Sequence, residues 1–366
     1  MRTIAFSDLH SFEHEDFSYQ LPNGLNSRLS DCLNVIDKVA YYRDKYDCTV
    51  VVNGGDTFHI PMAMDTVVFQ ETYKRLENLA NTSKCMITIA GNHDMAAITR
   101  DGIPVSTVYA LNRLPNTEVV IGKYDVVTYG TCAFHCLPYI KDKDQMAKEI
   151  QKIAKVIDGW ASGWTHIIMT HIGLDEAKNG PNEIKLGGYP LARLRKIGAD
   201  KILAGHHHHP QRLGGTEIIG SSLQHNMLDV GDKRGLMIYD TKENVTTRIW
   251  LRNSRFFMYE IDSKKKFEKM QREQEDFRGG YVRVLLDQAV ISESKVADVV
   301  AAHAKMYKII PMMHMKSGIR NEAISHKAIA NIGNMSVVVP DYVEHINPVG
   351  LNKKRLITVG KGLLYP

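Results

Sequence analysis

Short runs of apolar and β-branched residues alternate with longer segments of helical spacing along the first 250 residues. Residues 2–7, 48–53 and 84–90 have the composition of buried strands bounded by Gly, Asn or Asp. Between them, residues 27–47 and 64–80 carry apolar positions at helical spacing, and Ser27 is the predicted N-cap of the first helix. This alternation predicts an α/β domain with a largely parallel central sheet.

The next segments of the chain predict a second group of strands. A short antiparallel meander is expected over 117–121, 125–129 and 131–137, a helix over 144–157, and buried strands over 166–170 and 201–204. Closing strands are expected over 217–219, 235–239, 245–251 and 256–261. We therefore expect an α/β fold in which two sheets pack as a β-sandwich with helices on the outside.

The composition changes at Ser263. A charged helix or linker over 264–277, a strand over 281–286, a helix over 293–304 and a strand over 308–313 together predict a small α/β cap. The expected organisation is a catalytic domain over 1–262, a capping domain over 263–315 and a C-terminal region over 316–366 that binds a partner.

Several features favour a cytoplasmic protein. The chain contains no run of about 18 apolar residues, the length that a membrane-spanning helix needs. Its first residues lead directly into a strand and lack a secretory signal. The five cysteines are an odd number without a CxxC pair, which suits a reducing compartment better than a disulfide framework.

Charge and histidine are unevenly distributed. The net charge is +5, yet residues 251–366 contain 19 Lys and Arg against 12 Asp and Glu, while the first 250 residues are slightly acidic. This excess predicts an acidic partner for the last third of the chain. Twelve of the 16 histidines lie in residues 1–225. Because histidine is the commonest metal ligand, we expect the chemistry there.

Five short polar segments stand where predicted strands end, at residues 8–10, 55–56, 91–94, 170–171 and 205–208. The carboxyl ends of strands in an α/β sheet face a shared crevice, so these segments are expected to converge. Their carboxylate, amide and imidazole donors suit Mn²⁺ or Fe²⁺ better than the all-oxygen shells of Mg²⁺. We predict a site for two divalent ions, with Mn²⁺ first and Fe²⁺ or Mg²⁺ as alternatives.

The ordered series resembles the motifs DxH, GD, GNH[DE], H and GHxH of the calcineurin-like metallophosphoesterase superfamily. It is similar, more closely, to the SbcD-type DNA repair nucleases, the bacterial and phage counterparts of the eukaryotic meiotic-recombination nuclease. The second motif continues as Thr57-Phe58-His59, like the GDxFH of these nucleases, whereas protein phosphatases have GDxVDRG. The third motif is GNHD where protein phosphatases have GNHE. A core that ends near Asp262 and a small cap also match this branch.

The resemblance implies a role for each matched residue. One metal would be held by Asp8, His10, Asp56 and His208, and the other by Asp56, Asn92, His171 and His206, with Asp56 bridging. His93 would contact the phosphate or protonate the leaving 3′-oxygen, and His59 would steady the substrate. Asp94 would orient His93 through its ring, or would instead be a helix N-terminal carboxylate before residues 95–99.

The resemblance also implies the reaction and the partners. We expect 3′-5′ exonuclease activity on duplex ends and endonuclease activity on single strands or hairpins, in DNA repair, recombination or replication. It implies a homodimer, packed through helices at residues 64–80 and 96–113, within a heterotetramer with an SbcC-type SMC-like ATPase. The setting would be the bacterial cytosol, and the short cap favours a compact phage-encoded form.

Two other functions stay open. A metallophosphoesterase acting on cyclic nucleotides or small phosphate esters would share the core motifs, although the GDTFH continuation and the basic last third argue against it. A non-catalytic subunit that binds DNA or a partner would have lost metal ligands, and none of the expected positions is missing.

The remaining motifs have ordinary interpretations. The family often has charged residues after the turn at Gly220-Ser221, but residues 222–226 are neutral here, which puts substrate contacts in doubt. His207 and His209 are expected to point away from the metals. The spacing of Cys132, His135 and Cys136 indicates strand residues rather than a zinc site. The lysines at 264–266 predict a solvated helix face, with DNA or partner contact as the alternative.

Overall fold

The structure, a computed structural model, describes residues 1–99, 104–179, 184–185, 187–252 and 254–312. Its helices are α1 (Ser27–Lys45), α2 (Thr66–Thr82), α3 (Lys143–Asp158), α4 (Leu191–Arg195), α5 (Lys264–Arg272) and α6 (Glu293–Ala301). Its strands are β1 (Arg2–Phe6), β2 (Val50–Asn53), β3 (Cys85–Ile89), β4 (Met95–Ile98), β5 (Pro104–Ser106), β6 (Thr117–Val120), β7 (Asp125–Tyr129), β8 (Cys132–Leu137), β9 (Thr165–Thr170), β10 (Lys178–Asn179), β11 (Ile184–Lys185), β12 (Lys201–Ala204), β13 (Gln211–Leu213), β14 (Thr216–Ile218), β15 (Gly235–Asp240), β16 (Val245–Trp250), β17 (Phe256–Ile261), β18 (Tyr281–Leu286) and β19 (Met306–Pro311). Short 3₁₀ turns occur at Asn92–Asp94, Thr107–Arg113 and Met227–Asp229.

Two six-stranded sheets form the main architecture. The first has the order β16-β15-β1-β2-β3-β6, and the second β13-β14-β12-β9-β8-β7. Strands β1, β2, β3 and β6 run parallel in the first sheet, as do β8, β9, β12 and β14 in the second. The predicted α/β sandwich of two sheets is confirmed.

Side chains of the central strands alternate between two hydrophobic layers. On β1, Ile4 and Phe6 belong to the cluster that includes α1 and α2, whereas Ala5 belongs to the cluster shared by the two sheets. Successive residues of a strand point to opposite faces, so β1 can be buried on both sides. A third cluster packs the other face of the second sheet against α3 and α4. The sandwich is therefore held by three apolar layers.

Two details of the predicted elements are wrong. The predicted meander does not form, because β6 pairs in parallel with β3 in the first sheet while β7 and β8 form a hairpin in the second. The helix expected over 96–113 is replaced by β4, β5 and a 3₁₀ turn. Pro104 lies inside that segment, and proline disfavours both a helix interior and a helical residue before it.

Helix α1 begins at Ser27 as predicted, but its N-cap is Asn26 rather than Ser27. The Asn26 side chain accepts hydrogen bonds from the backbone N–H groups of Arg28 (2.8 Å) and Leu29 (3.3 Å). Asparagine is among the strongest N-cap residues, since its side-chain oxygen satisfies N–H groups that lack intrahelical partners.

A third sheet begins with β17, just before Asp262, and continues beyond it. Strands β17, β18 and β19 are parallel, and α5 and α6 connect them. The helices and strands β18 and β19 follow the pattern predicted for the cap. Strand β17 was expected to close the sandwich, and it pairs with β18 instead. The sheet is joined to α1 through Asp31, whose carboxylate accepts hydrogen bonds from Tyr281 Oη (2.6 Å) and Lys305 Nζ (2.7 Å). Lys266 on α5 is exposed and pairs with Asp262 at 2.7 Å, the solvated face expected of this run.

Residues 1–311 group together by their contacts. The predicted boundaries at residues 262 and 315 stay predictions, and the predicted partner-binding region 316–366 lies outside the described residues. None of the helices in the described ranges combines the length and apolar character that crossing a bilayer requires.

Candidate metal centre and active site

The five polar segments meet at the carboxyl ends of the two sheets. Asp8, Asp56 and Asn92 follow β1, β2 and β3 of the first sheet, and His171 and His206 follow β9 and β12 of the second. Backbone hydrogen bonds join neighbouring segments. The Asp8 N–H donates to the Gly55 carbonyl, and the Gly205 N–H donates to the Thr170 carbonyl, both at 2.9 Å. The expected convergence is therefore present.

Four of the predicted metal ligands have left-handed backbones. The φ angles are 51° at Asp8, 47° at His10, 52° at Asp56 and 77° at His206. Non-glycine residues adopt this region at a cost of roughly 1 kcal/mol or more, and such strain concentrates at functional sites. The strained conformations occur where strands turn into the site, so they aim these side chains at one another.

Two glycines allow the motif loops to approach each other closely. A Cβ atom on Gly55 would lie 2.4 Å from His171 Nδ1, and one on Gly91 would lie 2.1 Å from Asp56 Oδ1. Any side chain at either position would displace a predicted ligand. The glycines of the second and third motifs are thus needed for packing at the site.

The donor atoms are spaced as a cation site requires. Asp56 Oδ2 lies 3.3 Å from His171 Nε2 and 3.6 Å from His10 Nε2, so one carboxylate faces both halves of the site. Asn92 Oδ1 lies 3.2 Å from His171 Nε2 and 2.9 Å from His206 Nδ1. Ligand atoms of Asp8, His10 and Asp56 all fall within 4.8 Å of one another.

Two further contacts indicate that the donors fit cations. Asp8 Oδ1 is buried without a hydrogen-bond partner among the described residues, and His208 Nε2 is 3.8 Å from it. His10 Nε2 and His208 Nε2 face each other at 3.1 Å. A buried, unpaired carboxylate oxygen is costly, and a bound cation would satisfy it. The residues therefore fit a dimetal centre, and the identity of the metal stays a prediction.

The electrostatics of His171 and Asp56 support this fit. His171 Nδ1 lies 2.7 Å from the Gly54 carbonyl, which can only accept, so Nδ1 carries a proton and Nε2 faces Asp56. Burial alone lowers the pKa of His171, but the charge of Asp56 and its hydrogen bond outweigh burial and raise the pKa to about 10. A cation beside Asp56 would replace this proton, so metal binding should release protons.

His93 and His59 lie together at the edge of this centre. The Nδ1–H of His93 donates to the His59 carbonyl at 2.8 Å, and the two rings are stacked with centroids 5.3 Å apart. The backbone N–H of His93 donates to Asp56 Oδ1 at 2.8 Å. Since Nδ1 is bonded to a carbonyl, Nε2 is the nitrogen left to act on a substrate.

The predicted role of Asp94 is wrong. Its carboxylate accepts from the backbone N–H groups of Gly91 (2.9 Å), Phe58 (3.1 Å) and Thr57 (3.3 Å), and it is the His59 carbonyl that orients the His93 ring. The alternative also fails, because the residues after Asp94 form strand β4 and not a helix. Burial and the nearby Asp56 charge raise the pKa of Asp94 to about 7. The hydrogen bonds of Asp94 thus connect the backbones of the second and third motifs.

His225 is a site residue that the sequence analysis did not identify. Its ring is buried, its Nε2–H donates to the Asp8 carbonyl at 2.9 Å, and its centroid lies 5.0 Å from His10 and 5.1 Å from His208. The available signal in the sequence is its place just after the Gly220-Ser221 turn. The structure places an imidazole against the metal ligands there.

The other histidines of the fifth motif bond elsewhere, as expected. His207 accepts a hydrogen bond from Leu174 N–H at 2.9 Å, and His209 pairs with Asp232 at 3.0 Å. Cys132, His135 and Cys136 all lie on β8, and the His135 ring bonds Tyr124 Oη (2.8 Å) and His166 Nδ1 (2.9 Å). These contacts agree with the strand interpretation.

Comparison with known proteins identifies the family. Residues 1–210 match the family described as calcineurin-like phosphoesterase. No curated protein matches the chain. Similar solved structures include a dimetal phosphatase from Danio rerio (8% identity, TM-score 0.41, covering 65% of this chain and 91% of that one). Another is an archaeal phosphodiesterase (14% identity, TM-score 0.33, covering 69% of this chain and 100% of that one). A third is the phosphoesterase YfcE from E. coli (13% identity, TM-score 0.32, covering 69% of this chain and 94% of that one). At these TM-scores the likenesses carry no argument about function.

Proposed function

Since the chain belongs to the calcineurin-like phosphoesterase family, we propose that it is a Mn²⁺-dependent nuclease that hydrolyses the phosphodiesters of DNA. The observation that carries this proposal is the His59–His93 pair beside the predicted metal ligands. When a phosphodiester of DNA is hydrolysed, the sugar oxygen leaves as an alkoxide, which needs a proton more than the phenolate of an activated ester does. A positioned imidazole supplies that proton.

Each residue of the site has a proposed role in the reaction. Two metals would be held by Asp8, His10, Asp56, Asn92, His171, His206 and His208. When bound, they would polarise the phosphate and lower the pKa of a water molecule. His93 would deliver a proton from Nε2 to the leaving 3′-oxygen, with its ring held by the His59 carbonyl. Asp94 holds the backbones of the second and third motifs together.

The proposal is tested by incubating the protein with Mn²⁺ and linear DNA carrying blunt, overhanging or single-stranded ends, with and without an SMC-like ATPase. We expect shortening from duplex ends and internal cuts in single strands. His93→Ala should abolish cleavage while manganese binding persists. Absence of cleavage of every DNA by the wild type, even with the ATPase, would refute the proposal.

A second candidate is hydrolysis of cyclic nucleotides or small phosphate esters. A cavity adjoins the predicted metal ligands, and its volume of about 450 Å³ is within the usual range for small-molecule pockets. Exposed Glu15 lies at its lining, and its charge repels a polyanion. Turnover of a chromogenic diester that excess DNA fails to inhibit would favour this candidate.

We propose in addition a homodimer that binds an SMC-like ATPase in the bacterial cytosol, in a cellular or phage-encoded system. Support for the dimer comes from exposed apolar side chains close to α2 and β4, namely Met62, Val67, Ile98 and Tyr109. Mass measurement by light scattering tests it, and a monomer at micromolar concentration would count against it. Met62→Lys should shift a dimer towards monomer.

A further inference from the structure

The cavity beside the predicted metal centre has a wall built of aromatic rings. His10, His93 and His208 line its metal side, and Phe12, His14 and His59 line the adjoining wall. The ring centroids of Phe12, His14 and His59 are mutually 5.2–5.3 Å apart. This contact distance is usual for packed aromatic side chains. The three half-buried rings form one continuous surface, which we call the aromatic wall.

The backbone fixes the position of Phe12 in this wall. Ser11 N–H donates to the Thr57 carbonyl at 2.9 Å, and Ser11 and Phe58 form a parallel bridge. This pairing places Phe12 beside His59. His59 in turn stacks on His93. Phe12 therefore lies one ring beyond the group proposed to protonate the leaving oxygen.

Arg28 and Phe256 also line the cavity. The Arg28 guanidinium carbon lies 4.7 Å from the centroid of Phe256, and Nη2 donates to the His225 carbonyl at 2.9 Å. Arg28 is buried, and its guanidinium also donates to the backbone carbonyl of Asp16. The cavity thus combines aromatic surfaces with one buried positive charge, and the carboxylates of Glu15 and Asp16 also line it.

A nucleoside joined to a phosphate matches these features. Its base presents an aromatic face for stacking, and its phosphate carries the negative charge that Arg28 attracts. We propose that the cavity is the binding site for the nucleoside next to the scissile phosphate, and that Phe12 stacks on its base. The inference rests on the proposed phosphodiesterase function and specifies the substrate group that the site recognises.

Two chromogenic diesters test this assignment. Thymidine 5′-(p-nitrophenyl phosphate) and methyl p-nitrophenyl phosphate each contain one phosphodiester and release the same phenol, but only the first carries a nucleoside. Stacking of a base on an aromatic side chain changes affinity by roughly tenfold. In the wild type with Mn²⁺, kcat/KM for the nucleoside ester should exceed that for the methyl ester by at least this factor.

Phe12→Leu removes the aromatic face and keeps an apolar side chain. We expect the ratio of the two kcat/KM values to fall about tenfold in Phe12→Leu, and Phe12→Trp to restore it. Phe257→Leu is the matched control, since Phe257 lies on β17 and does not line this cavity. The control should keep the wild-type ratio.

The outcomes separate the inference from the function on which it rests. A wild type that cleaves both esters without preference, or a Phe12→Leu variant that keeps the wild-type ratio, overturns the nucleoside site and leaves phosphodiester hydrolysis intact. Equal losses on both esters in Phe12→Leu show a structural role and also overturn it. If the folded, Mn²⁺-loaded wild type hydrolyses neither ester, the proposed function itself fails.

Discussion

Replacing Gly91 by alanine should disable the site through Asp56. The added Cβ would lie 2.1 Å from Asp56 Oδ1 and 2.4 Å from its backbone nitrogen, whereas real Cβ atoms essentially never come closer than 3.0 Å. Rotating the Asp56 side chain cannot relieve the contact with the backbone, so this segment must move by roughly 1 Å. A displacement of this size costs about 100-fold in kcat, or about 2.7 kcal/mol of transition-state stabilisation.

The assay for Gly91→Ala is hydrolysis of bis(p-nitrophenyl) phosphate at saturating Mn²⁺, with metal affinity measured by calorimetry and folding by circular dichroism. Gly215→Ala is the matched control, because its Cβ would meet no atom within 4 Å in the described part of the chain. The control should keep its kcat within about twofold, since nothing near it must move. A folded Gly91→Ala protein with wild-type kcat and metal affinity would refute the reasoning.

Three other perturbations test the site and the fold. His93→Gln should lower kcat on duplex DNA by about 10²–10⁴-fold and leave calorimetric metal affinity unchanged; an unaltered rate contradicts the proton-donor role. Mn²⁺ at about 100 times its Kd should stabilise the chelator-treated protein by about 2.7 kcal/mol in thermal unfolding, and an unchanged Tm would speak against a metal centre. Asp31→Asn leaves Lys305 without its partner carboxylate and should cost about 3 kcal/mol in urea unfolding; a loss under about 1 kcal/mol would show that the pair contributes little.

The family assignment and the geometry of the site support different parts of the functional argument. The match over residues 1–210 shows a calcineurin-like phosphoesterase, whichever ester it cleaves. The choice of DNA depends on the His59–His93 pair and on the basic last third. The two chromogenic esters therefore test whether the site recognises a nucleoside, and the DNA cleavage assay tests whether the substrate is DNA.

Local sequence patterns were enough to predict much of this protein. The strands over 201–204, 256–261 and 281–286 were expected within the bounds that the structure shows, because each is a short apolar run with sharp polar or glycine boundaries. Asp8, Asp56, Asn92, His171 and His206 each follow a buried strand, and parallel strands place their carboxyl ends together. Their convergence thus follows from position along the chain.

Only the tertiary structure decided which distant groups became partners. Strand β6 joined β3 in the first sheet, although residues 117–137 had the pattern of a local meander. The Asp94 carboxylate bonded backbone N–H groups of two motifs, and His225 packed against His10 across more than two hundred residues of sequence. Local spacing determines which face of an element is buried. Pairing, register and side-chain partners depend on three-dimensional packing, which periodicity does not contain.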